Sequence, residues 1–320
     1  MKKLKGKVLI TGGAGTLGRA IIKRATEEDW DCDITIYSTD AVKHARVTKD
    51  YPHIQSVIGD IGDYATLYAA MSGKDIVIHA AAVKEIPSSE FHSIDTYRVN
   101  MEGSLNVALI ASQLKTPHVL AISTDKACHP ANAYGASKYL MEKIWQEYTR
   151  YGFPTKYHLV RYGNVLESNA SVLQKWKGAA EAGEEVYITD PRMTRFWISP
   201  SQAVQYVLDS LSFNSGMIYV PKMPSLSIGK LLKYTIGPDY DNIKPMPMRP
   251  GEKMHETLVT LEETDFCVPG RSFENEFEHF VISPTTEERM NWKTEEMLKP
   301  YTSEFARELT KDELTELLKG

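Results

Sequence analysis

The stretch that decides the fold is KVLITGGAGTLG, residues 7–18. Residues 7–10 are a short apolar run that predicts a buried strand, and an amphipathic helical pattern follows from Leu17. Between them the glycines are spaced Gly-x-x-Gly-x-x-Gly, so a pyrophosphate could approach backbone amides at the helix N-terminus. Strand, glycine turn and helix in this order predict a dinucleotide-binding unit, and the alternative is a tight structural turn. The cofactor contacts predicted here are Gly12, Gly15, Thr16, Leu17 and Gly18.

The second predicted strand, Ile34 to Tyr37, ends at the position that contacts the adenosine ribose in such units. An acidic side chain there would bind the ribose of NAD, but the chain has Ser38, with Lys43 in the following turn. Asp40 fits the N-cap of the next helix better than it fits the ribose. The pattern favours NADP through Ser38 and Lys43, and NAD stays the alternative.

Two further strand ends complete the predicted cofactor site. The strand from Val57 ends at Asp60 and Ile61, which we expect beside the adenine, and the run from Ile76 to Ala82 provides Ala80. Small residues there would let the cofactor lie close over the sheet edge. Lys84 follows and either points into the cleft, toward cofactor and substrate, or is a solvated loop residue. His79 lies within an apolar run and is predicted to be structural.

A second polar stretch follows the apolar run of residues 119–122. It is Ser-Thr-Asp-Lys at 123–126, and YGASK at 134–138 then starts a helical pattern. Tyr134 and Lys138 are four residues apart and share one helix face. A lysine ammonium near a phenol lowers the pKa of the phenol, so Tyr134 is a candidate base for an alcohol proton. A Tyr-x-x-x-Lys pair is common by chance, but the dinucleotide turn and the preceding Thr-Asp-Lys make this one specific.

The order of the patterns predicts an α/β fold, a Rossmann-type doubly wound parallel sheet with a smaller C-terminal α/β substrate-binding lobe. Residues 93–115 predict one long helix, on which Asn100 is polar, and residues 157–162 predict a sixth strand. After about residue 165 the strand–helix alternation weakens and proline becomes frequent. We therefore predict an NAD(P)-binding domain at 1–165 plus about 197–222, and a substrate-binding lobe at about 166–196 and 223–320.

Composition excludes several classes of function. The chain has 320 residues, a formal net charge of −5 and 25% charged residues, which gives no electrostatic case for nucleic acid or an anionic membrane. No apolar run approaches the ~20 residues of a membrane span. The three cysteines are widely spaced and form neither a metal-binding pattern nor a disulfide framework, as expected in a reducing cytoplasm.

The motifs together resemble a known family. Thr11-Gly-Gly-x-Gly-x-x-Gly with Tyr134-x-x-x-Lys138 resembles the extended short-chain dehydrogenase/reductase superfamily. More specific stretches are similar to the soluble, C5-inverting UDP-N-acetylglucosamine 4,6-dehydratases. They are STDK at 123–126, RYGNV at 161–165, TD at 189–190, MTRFWI at 193–198, VPK at 220–222, RPGEK at 249–253 and HE at 255–256.

The resemblance implies a redox-neutral elimination on a nucleotide sugar, in which the cofactor takes a hydride from C4 and returns it at C6. By motif, Tyr134 removes the C4 hydroxyl proton, Lys126 removes the C5 proton, and Asp125 protonates the leaving hydroxyl, with Thr124 and Lys138 completing the catalytic set. Tyr134 and Lys138 are also expected to contact the cofactor. Lys126 would need a lowered pKa to act as a base. The product expected for this branch is a 4-keto-6-deoxy-L-arabino-hexose for pseudaminic acid or capsular sugar synthesis.

The substrate contacts implied by the same motifs are Lys84, Asn164, Arg195, Arg249 and Glu252. Arginine suits a diphosphate. Surface ion pairs remain the alternative for the two arginines, and a helix cap the alternative for Glu252. Three stretches depart from the family pattern: Thr39 replaces an arginine, Cys128-His129 replaces a small residue and asparagine, and Glu167-Ser-Asn-Ala-Ser171 replaces Gly-Ser-Arg-Gly-Ser.

Two other functions remain open on the sequence alone. One is a nucleotide-sugar 4- or 5-epimerase of the same superfamily, and the other is a non-catalytic NADP-binding regulator. A regulator would be expected to lack Thr124, Tyr134 or Lys138, and the chain has all three. Relatives generally self-associate, so a homo-oligomer is expected, with no nucleic-acid or membrane partner.

Overall fold

The computed structural model describes residues 3–166, 172–271, 278–283 and 299–319. Its strands in chain order are β1 Gly6–Thr11, β2 Cys32–Ser38, β3 Gln55–Ile58, β4 Ile76–His79, β5 His118–Thr124, β6 Lys156–Tyr162, β7 Asn164–Val165, β8 Val186–Ile188, β9 Thr194–Ile198, β10 Ile218–Pro221, β11 Ser225–Ser227, β12 Ile243–Pro245, β13 Thr257–Val259, β14 Cys267–Arg271, β15 Glu278–Ile282 and β16 Tyr301–Thr302.

The α-helices are α1 Thr16–Glu27, α2 Ala41–Asp50, α3 Tyr64–Met71, α4 Ile86–Phe91, α5 Ser93–Thr96, α6 Gly103–Leu114, α7 Ala133–Arg150, α8 Val172–Glu181, α9 Pro200–Ser210, α10 Ile228–Ile236 and α11 Lys311–Lys319. A π-helical turn spans Tyr97–Glu102, and 3-10 turns span Asp125–Ala127 and Thr264–Phe266. None of these described helices is long and apolar enough to cross a membrane.

One large sheet organises the chain, with strand order β14-β15-β10-β6-β5-β4-β1-β2-β3. The pairings from β10 through β3 are parallel, and helices cover both faces of the sheet. This double cover explains why Val8, Leu9 and Ile10 are all fully buried, since a parallel strand covered on both sides has no polar face. The predicted α/β doubly wound fold is confirmed.

The strand order reverses between β1 and β4, which creates a crevice at the carboxyl ends of these strands. β1 ends at Thr11, β4 ends at His79 and β5 ends at Thr124, so all three deliver polar residues to this edge. His79 is fully buried, and it is hydrogen bonded to Thr11 Oγ1 and to Ser104 Oγ, each at 2.8 Å. Burial lowers the pKa of His79 to about 3, so this neutral side chain is structural, as predicted.

The helix predicted at 93–115 is not continuous. It begins as α5, passes through the π-helical turn and continues as α6. This is a single wider turn within a helical stretch, and the helical pattern read over residues 93–115 does not reveal it. Asn100 lies in this π-helical turn and is fully buried. Such turns occur frequently at functional sites.

Smaller sheets lie after β6, in the region that the sequence assigned to a substrate-binding lobe. They are β11-β9-β7, β12-β8 and β13-β16. A separate apolar core forms here, with Leu166, Trp176, Trp197, Leu231 and Leu309 buried together.

The strands β14 and β15 are a correction to the predicted division, because the sequence analysis placed residues 223–320 in the lobe. Both strands belong to the large sheet, where β15 pairs antiparallel with β10. Antiparallel edge strands lack the strand–helix alternation on which the prediction relied. The assignment of the lobe to substrate binding stays a prediction.

Candidate active site

The glycine turn between β1 and α1 packs too closely against its neighbours to hold side chains. Gly12 has a φ of +67°, and a Cβ on it would lie 2.8 Å from the backbone nitrogen of Ala81. A Cβ on Gly18 would lie 2.1 Å from the carbonyl oxygen of Gly13. Helix α1 begins at Thr16 with Gly15 as its N-cap, and a helix N-terminus favours phosphate. This turn fits a dinucleotide, and the individual contacts predicted for residues 12–18 remain predictions.

The end of β2 is held by a buried histidine. His44 Nε2 is 2.7 Å from Ser38 Oγ, and His44 Nδ1 is 2.7 Å from Ser56 Oγ. Asp40 accepts a hydrogen bond from the backbone nitrogen of Lys43 at 2.9 Å, which confirms it as the N-cap of α2. The Lys43 ammonium also pairs with Asp40 at 2.8 Å. Ser38 is therefore held by its hydrogen bond to the buried His44 side chain, whereas the Lys43 ammonium is held only by an exposed ion pair with Asp40.

The other predicted cofactor residues lie along the same edge of the sheet. Asp60 accepts a hydrogen bond from the backbone nitrogen of Gly62 at 2.8 Å, and Ile61 is buried against α6. Ala80 continues β4, with its backbone nitrogen donating to Thr11 at 3.1 Å. Lys84 lies in the loop after β4 and is exposed as a whole residue, while partial burial of its ammonium lowers its pKa. Its contacts with cofactor and substrate stay predictions, and so does the solvated-loop alternative.

The residues after β5 form a compact charged group. Thr124 Oγ1 donates to Asp125 Oδ1 at 2.9 Å, and Lys126 Nζ donates to the same oxygen at 2.8 Å. Lys126 Nζ also donates to Asn164 Oδ1 at 3.1 Å. The Asp125 side chain is fully buried and that of Lys126 is 16% exposed. A proton can therefore pass directly between the lysine and the carboxylate, and the lysine still reaches the cleft.

Tyr134 lies at the start of α7, where it is buried beside this group. Burial raises the pKa of Tyr134, while the charge of Lys126 and a hydrogen bond from Thr124 oppose that rise. Lys138 acts elsewhere, since its Nζ donates to the carbonyl oxygen of Ile122 at 2.8 Å. The sequence analysis expected Lys138 to lower the pKa of the phenol, and this is corrected: Lys126 is the nearby ammonium that does so.

The charge state of Lys126 is a second correction. The predicted base would need a lowered pKa, and burial does act in that direction. The carboxylates of Asp125 and Glu256 outweigh burial, however, and the pKa of Lys126 is raised. Lys138 behaves in the opposite way, because burial lowers its pKa to about 8. With Asp125 and Glu256 beside it, Lys126 holds its proton.

Residues 8–272 match the family model described as polysaccharide biosynthesis protein. The chain belongs to this family. A UDP-N-acetylglucosamine 4,6-dehydratase (inverting) of Campylobacter jejuni is 35% identical to it over 88% of this chain and 84% of the relative. A UDP-glucose 4-epimerase of Rickettsia massiliae is 35% identical over 97% of this chain and 94% of the relative. The solved structure of Pen from Bacillus thuringiensis superposes with a TM-score of 0.88 and 26% identity, covering 100% of this chain and 98% of that chain.

These matches confirm the resemblance inferred from the motifs. The residues predicted to bind substrate fall into two groups. Arg195 is 6% exposed, and its Nη1 donates to the carbonyl oxygens of Thr194 and Met254 at 2.8 and 3.2 Å. Glu252 lies 3.7 Å from Arg195 and accepts from the backbone nitrogen of Arg249 at 3.2 Å. Arg249 itself is exposed.

In the first group, Asn164 is hydrogen bonded to Lys126, and Arg195 is hydrogen bonded to backbone carbonyls of the protein. In the second, Arg249 has an exposed side chain that a ligand can reach. The departure at Glu167–Ser171 lies outside the described residues.

Sequence reasoning missed two polar residues that support the site. Asn100 Nδ2 donates to the carbonyl oxygen of Val83 and to Ser137 Oγ, both at 2.9 Å, and so links the loop after β4 to α7. Glu256 approaches Lys126 to 3.7 Å from a distant part of the chain. The sequence offered a signal for both, since Asn100 is polar within a packing helix and Glu256 lies inside a family motif.

Proposed function

We propose that the chain is a nucleotide-sugar 4,6-dehydratase that inverts C5, with UDP-N-acetylglucosamine as its substrate. The observation that carries this proposal is the Asp125–Lys126 pair, joined at 2.8 Å beside Tyr134. The elimination needs a base for the C5 proton and an acid for the hydroxyl that leaves C6. Both are needed in addition to the base for the C4 hydroxyl. The dehydratase relative from Campylobacter supports the same assignment.

The site residues fit the proton transfers that lead to the loss of water. A bound nicotinamide supplies hydride removal from C4 and hydride return at C6. Tyr134 accepts the C4 hydroxyl proton, and the resulting ketone acidifies the proton at C5. Lys126, once neutral, takes that proton, and Asp125, once protonated, gives its proton to the hydroxyl leaving C6. The buried setting strengthens these interactions because water is excluded from Asp125 and Tyr134.

We infer NADP as the cofactor, with NAD as the alternative. Ser38 presents no carboxylate to a ribose phosphate, and a pocket beside Ala14 of the glycine turn is lined by Arg19, Lys43 and Arg46. Asp50 lines the same pocket and opposes these charges in part. Cations suit a 2′-phosphate, so the balance of charge supports NADP.

A 4-epimerase is the second candidate, and a specific observation favours it. The UDP-glucose 4-epimerase of Rickettsia matches as strongly in identity and covers more of this chain than the dehydratase does. An epimerase needs the C4 oxidation by Tyr134 but has no step for a C5 base or a C6 acid. The buried Asp125–Lys126 pair would then have no chemical role, which is why we favour dehydration.

Product mass separates these two candidates. The protein is incubated with UDP-N-acetylglucosamine and NADP, and the nucleotide sugar is recovered for mass spectrometry. Loss of one water supports the dehydratase, and the same mass in a new isomer supports the epimerase. UDP-glucose in a parallel incubation distinguishes the sugar preferred.

We also propose that the protein self-associates. Phe91, Ile94 and Tyr97 are 86%, 75% and 60% exposed, and they lie on the consecutive elements α4, α5 and the π-helical turn. Apolar side chains grouped in this way favour contact with a second protein surface. A second copy of the chain is the proposed partner. The free cysteines Cys32, Cys128 and Cys267 support a reducing compartment such as the cytoplasm.

A further inference from the structure

Glu256 lies directly before β13 and points at the charged group after β5. Its Oε1 is 3.7 Å from Lys126 Nζ and 3.8 Å from Arg195 Nε, and its side chain is only 4% exposed. Its backbone nitrogen donates to Ser303 Oγ at 2.9 Å, which fixes the residue in place. Its Oε2 is buried and has no hydrogen-bond partner among the described residues.

Burying a carboxylate with one unpaired oxygen costs free energy. The charges around Glu256 are therefore needed to explain its position. The ionisable groups facing Lys126 are Asp125 from the same turn, Tyr134 from α7, Arg195 from β9 and Glu256. Arg195 is shared between Glu252 and Glu256, so it only partly neutralises Glu256. The net charge around Lys126 is therefore negative. Asp125 contributes to it from the 3-10 turn Asp125–Ala127, called the catalytic turn below, and Glu256 contributes from outside this turn.

We propose that Glu256 is a positioning residue, whose fixed negative charge holds the Lys126 ammonium beside Asp125 and Asn164 and stabilises that ammonium when it forms during the reaction. This inference rests on the proposed dehydratase function for its role in catalysis. The charge effect itself does not depend on that function.

The proton balance shows where the charge is needed. When neutral Lys126 takes the C5 proton, an N–H bond forms, the C5–H bond breaks and its electrons pass to the enolate of the 4-ketone. Asp125 then loses its proton to the C6 oxygen as the C6–O bond breaks. Lys126 then carries one proton more, and Asp125 one proton fewer, than before the reaction. A proton transfer from Lys126 to Asp125 across their 2.8 Å contact restores both groups. The Glu256 carboxylate, 3.7 Å from Lys126, stabilises the positive charge that develops on the lysine.

Cyanate labelling tests the charge effect in the intact protein. Cyanate carbamylates only neutral amines, so the labelling rate of Lys126 followed from neutral to alkaline pH reports its deprotonation. Peptide mass mapping gives the rate for Lys126 relative to the exposed lysines of the same sample. The variants are Glu256→Gln, which removes the charge, Glu256→Asp, which keeps it, and Glu304→Gln, which removes an exposed carboxylate paired with the neighbouring His255.

We expect the Lys126 profile to move down by about one pH unit in Glu256→Gln, since an opposite charge at this distance shifts a pKa by about 1–3 units. Glu256→Asp and Glu304→Gln should keep the parental profile. An unchanged profile in Glu256→Gln overturns the proposal. An equal shift in Glu256→Asp also overturns it, because the cause would then be altered packing. A failure of the dehydratase assignment appears separately, as a product without loss of water, and leaves the labelling result intact.

Discussion

At the residue scale, the site depends on which lysine faces the phenol. Tyr134 and Lys138 share a helix face, but the Lys138 ammonium binds the Ile122 carbonyl. Burial raises the pKa of Tyr134, and Lys126 is the cation that opposes this rise. Helical spacing predicts a shared face, whereas the direction of a long side chain depends on the carbonyls and charges around it. The sequence therefore predicted the shared helix face but not which ammonium lies beside the phenol.

Replacing Tyr134 with phenylalanine removes only the hydroxyl that we propose accepts the C4 hydroxyl proton. We expect the turnover of Tyr134→Phe to fall by about 100-fold or more, which is typical when a general base is lost. Mass spectrometry of the nucleotide sugar measures the turnover. The control is Tyr139→Phe, which changes an exposed tyrosine on the same helix and should leave the rate unchanged. Near-normal turnover of Tyr134→Phe would remove this residue from the catalytic set.

The cofactor preference is tested at Lys43. Lys43→Glu places a negative charge where the proposed 2′-phosphate would lie, so NADP binding should weaken by about tenfold or more and the preference over NAD should vanish or reverse. Calorimetric titration with both cofactors measures this. Lys49→Glu, on the last turn of the same helix, is the matched control. Equal affinities of NADP and NAD in the parent protein would contradict the role of Ser38 and Lys43.

At the element scale, a buried ion-pair network joins the catalytic turn to the C-terminal part of the chain. Arg161 on β6 is 1% exposed; its Nη2 lies 2.7 Å from Glu142 Oε2 on α7 and 2.7 Å from Glu263 Oε1. It also donates to Cys128 Sγ at 3.1 Å, just after Lys126. Ser123 donates to Glu142 at 2.5 Å. One guanidinium thus fixes three segments around the catalytic residues.

Removing this guanidinium should be costly. We expect Arg161→Leu to lower the free energy of unfolding by about 3–5 kcal/mol, because it leaves the buried carboxylate of Glu142 without its cation. Arg307→Leu breaks an exposed pair with Glu313 and should cost less than about 1 kcal/mol. Denaturant unfolding measures both. Equal costs for the two variants would show that burial does not amplify the Arg161 network.

Most elements could be predicted from their apolar periods, and the exceptions have physical causes. The π-helical turn at Tyr97–Glu102 is one wider turn inside a helical stretch, and the helical pattern of the sequence did not show it. The edge strands β14 and β15 join the large sheet through pairing with β10, a contact that no local pattern records. Glu256 was visible only as part of a motif, since its approach to Lys126 depends on the fold of distant segments.

At the scale of the whole molecule, the exposed apolar face on α4, α5 and the π-helical turn predicts self-association. Ile94→Glu places a charge at its centre, and we expect the mass in solution to fall toward that of the monomer, because a buried unpaired charge destabilises a contact. Sedimentation velocity measures the mass. Val42→Glu adds the same charge to an exposed apolar position on α2 and should leave the assembly unchanged. A monomeric parent protein would contradict the proposal outright.

The topology of the large sheet determines where the glycine turn and the residues after β5 lie. The glycine turn and the catalytic turn both lie at the carboxyl edge of the parallel strands, because β1 and β5 end there. The segment around residues 249–263 closes over this edge, with Lys253 Nζ donating to the carbonyl oxygen of Cys128 at 2.7 Å. Glu256 and Glu263 thereby reach the catalytic turn and the Arg161 network.

Solvent deuterium at C5 tests the proposed role of Lys126 most directly. The parent protein and Lys126→Ala are each incubated with UDP-N-acetylglucosamine and NADP in D2O, and the sugar is recovered for NMR. The parent should give a dehydrated product with deuterium at C5 and the L-arabino configuration. Lys126→Ala should still oxidise C4 but introduce little or no deuterium at C5, since no base of suitable pKa remains to remove that proton. A mutant that binds substrate weakly, yet exchanges C5 and loses water once substrate is bound, would contradict the role of Lys126 as the C5 base.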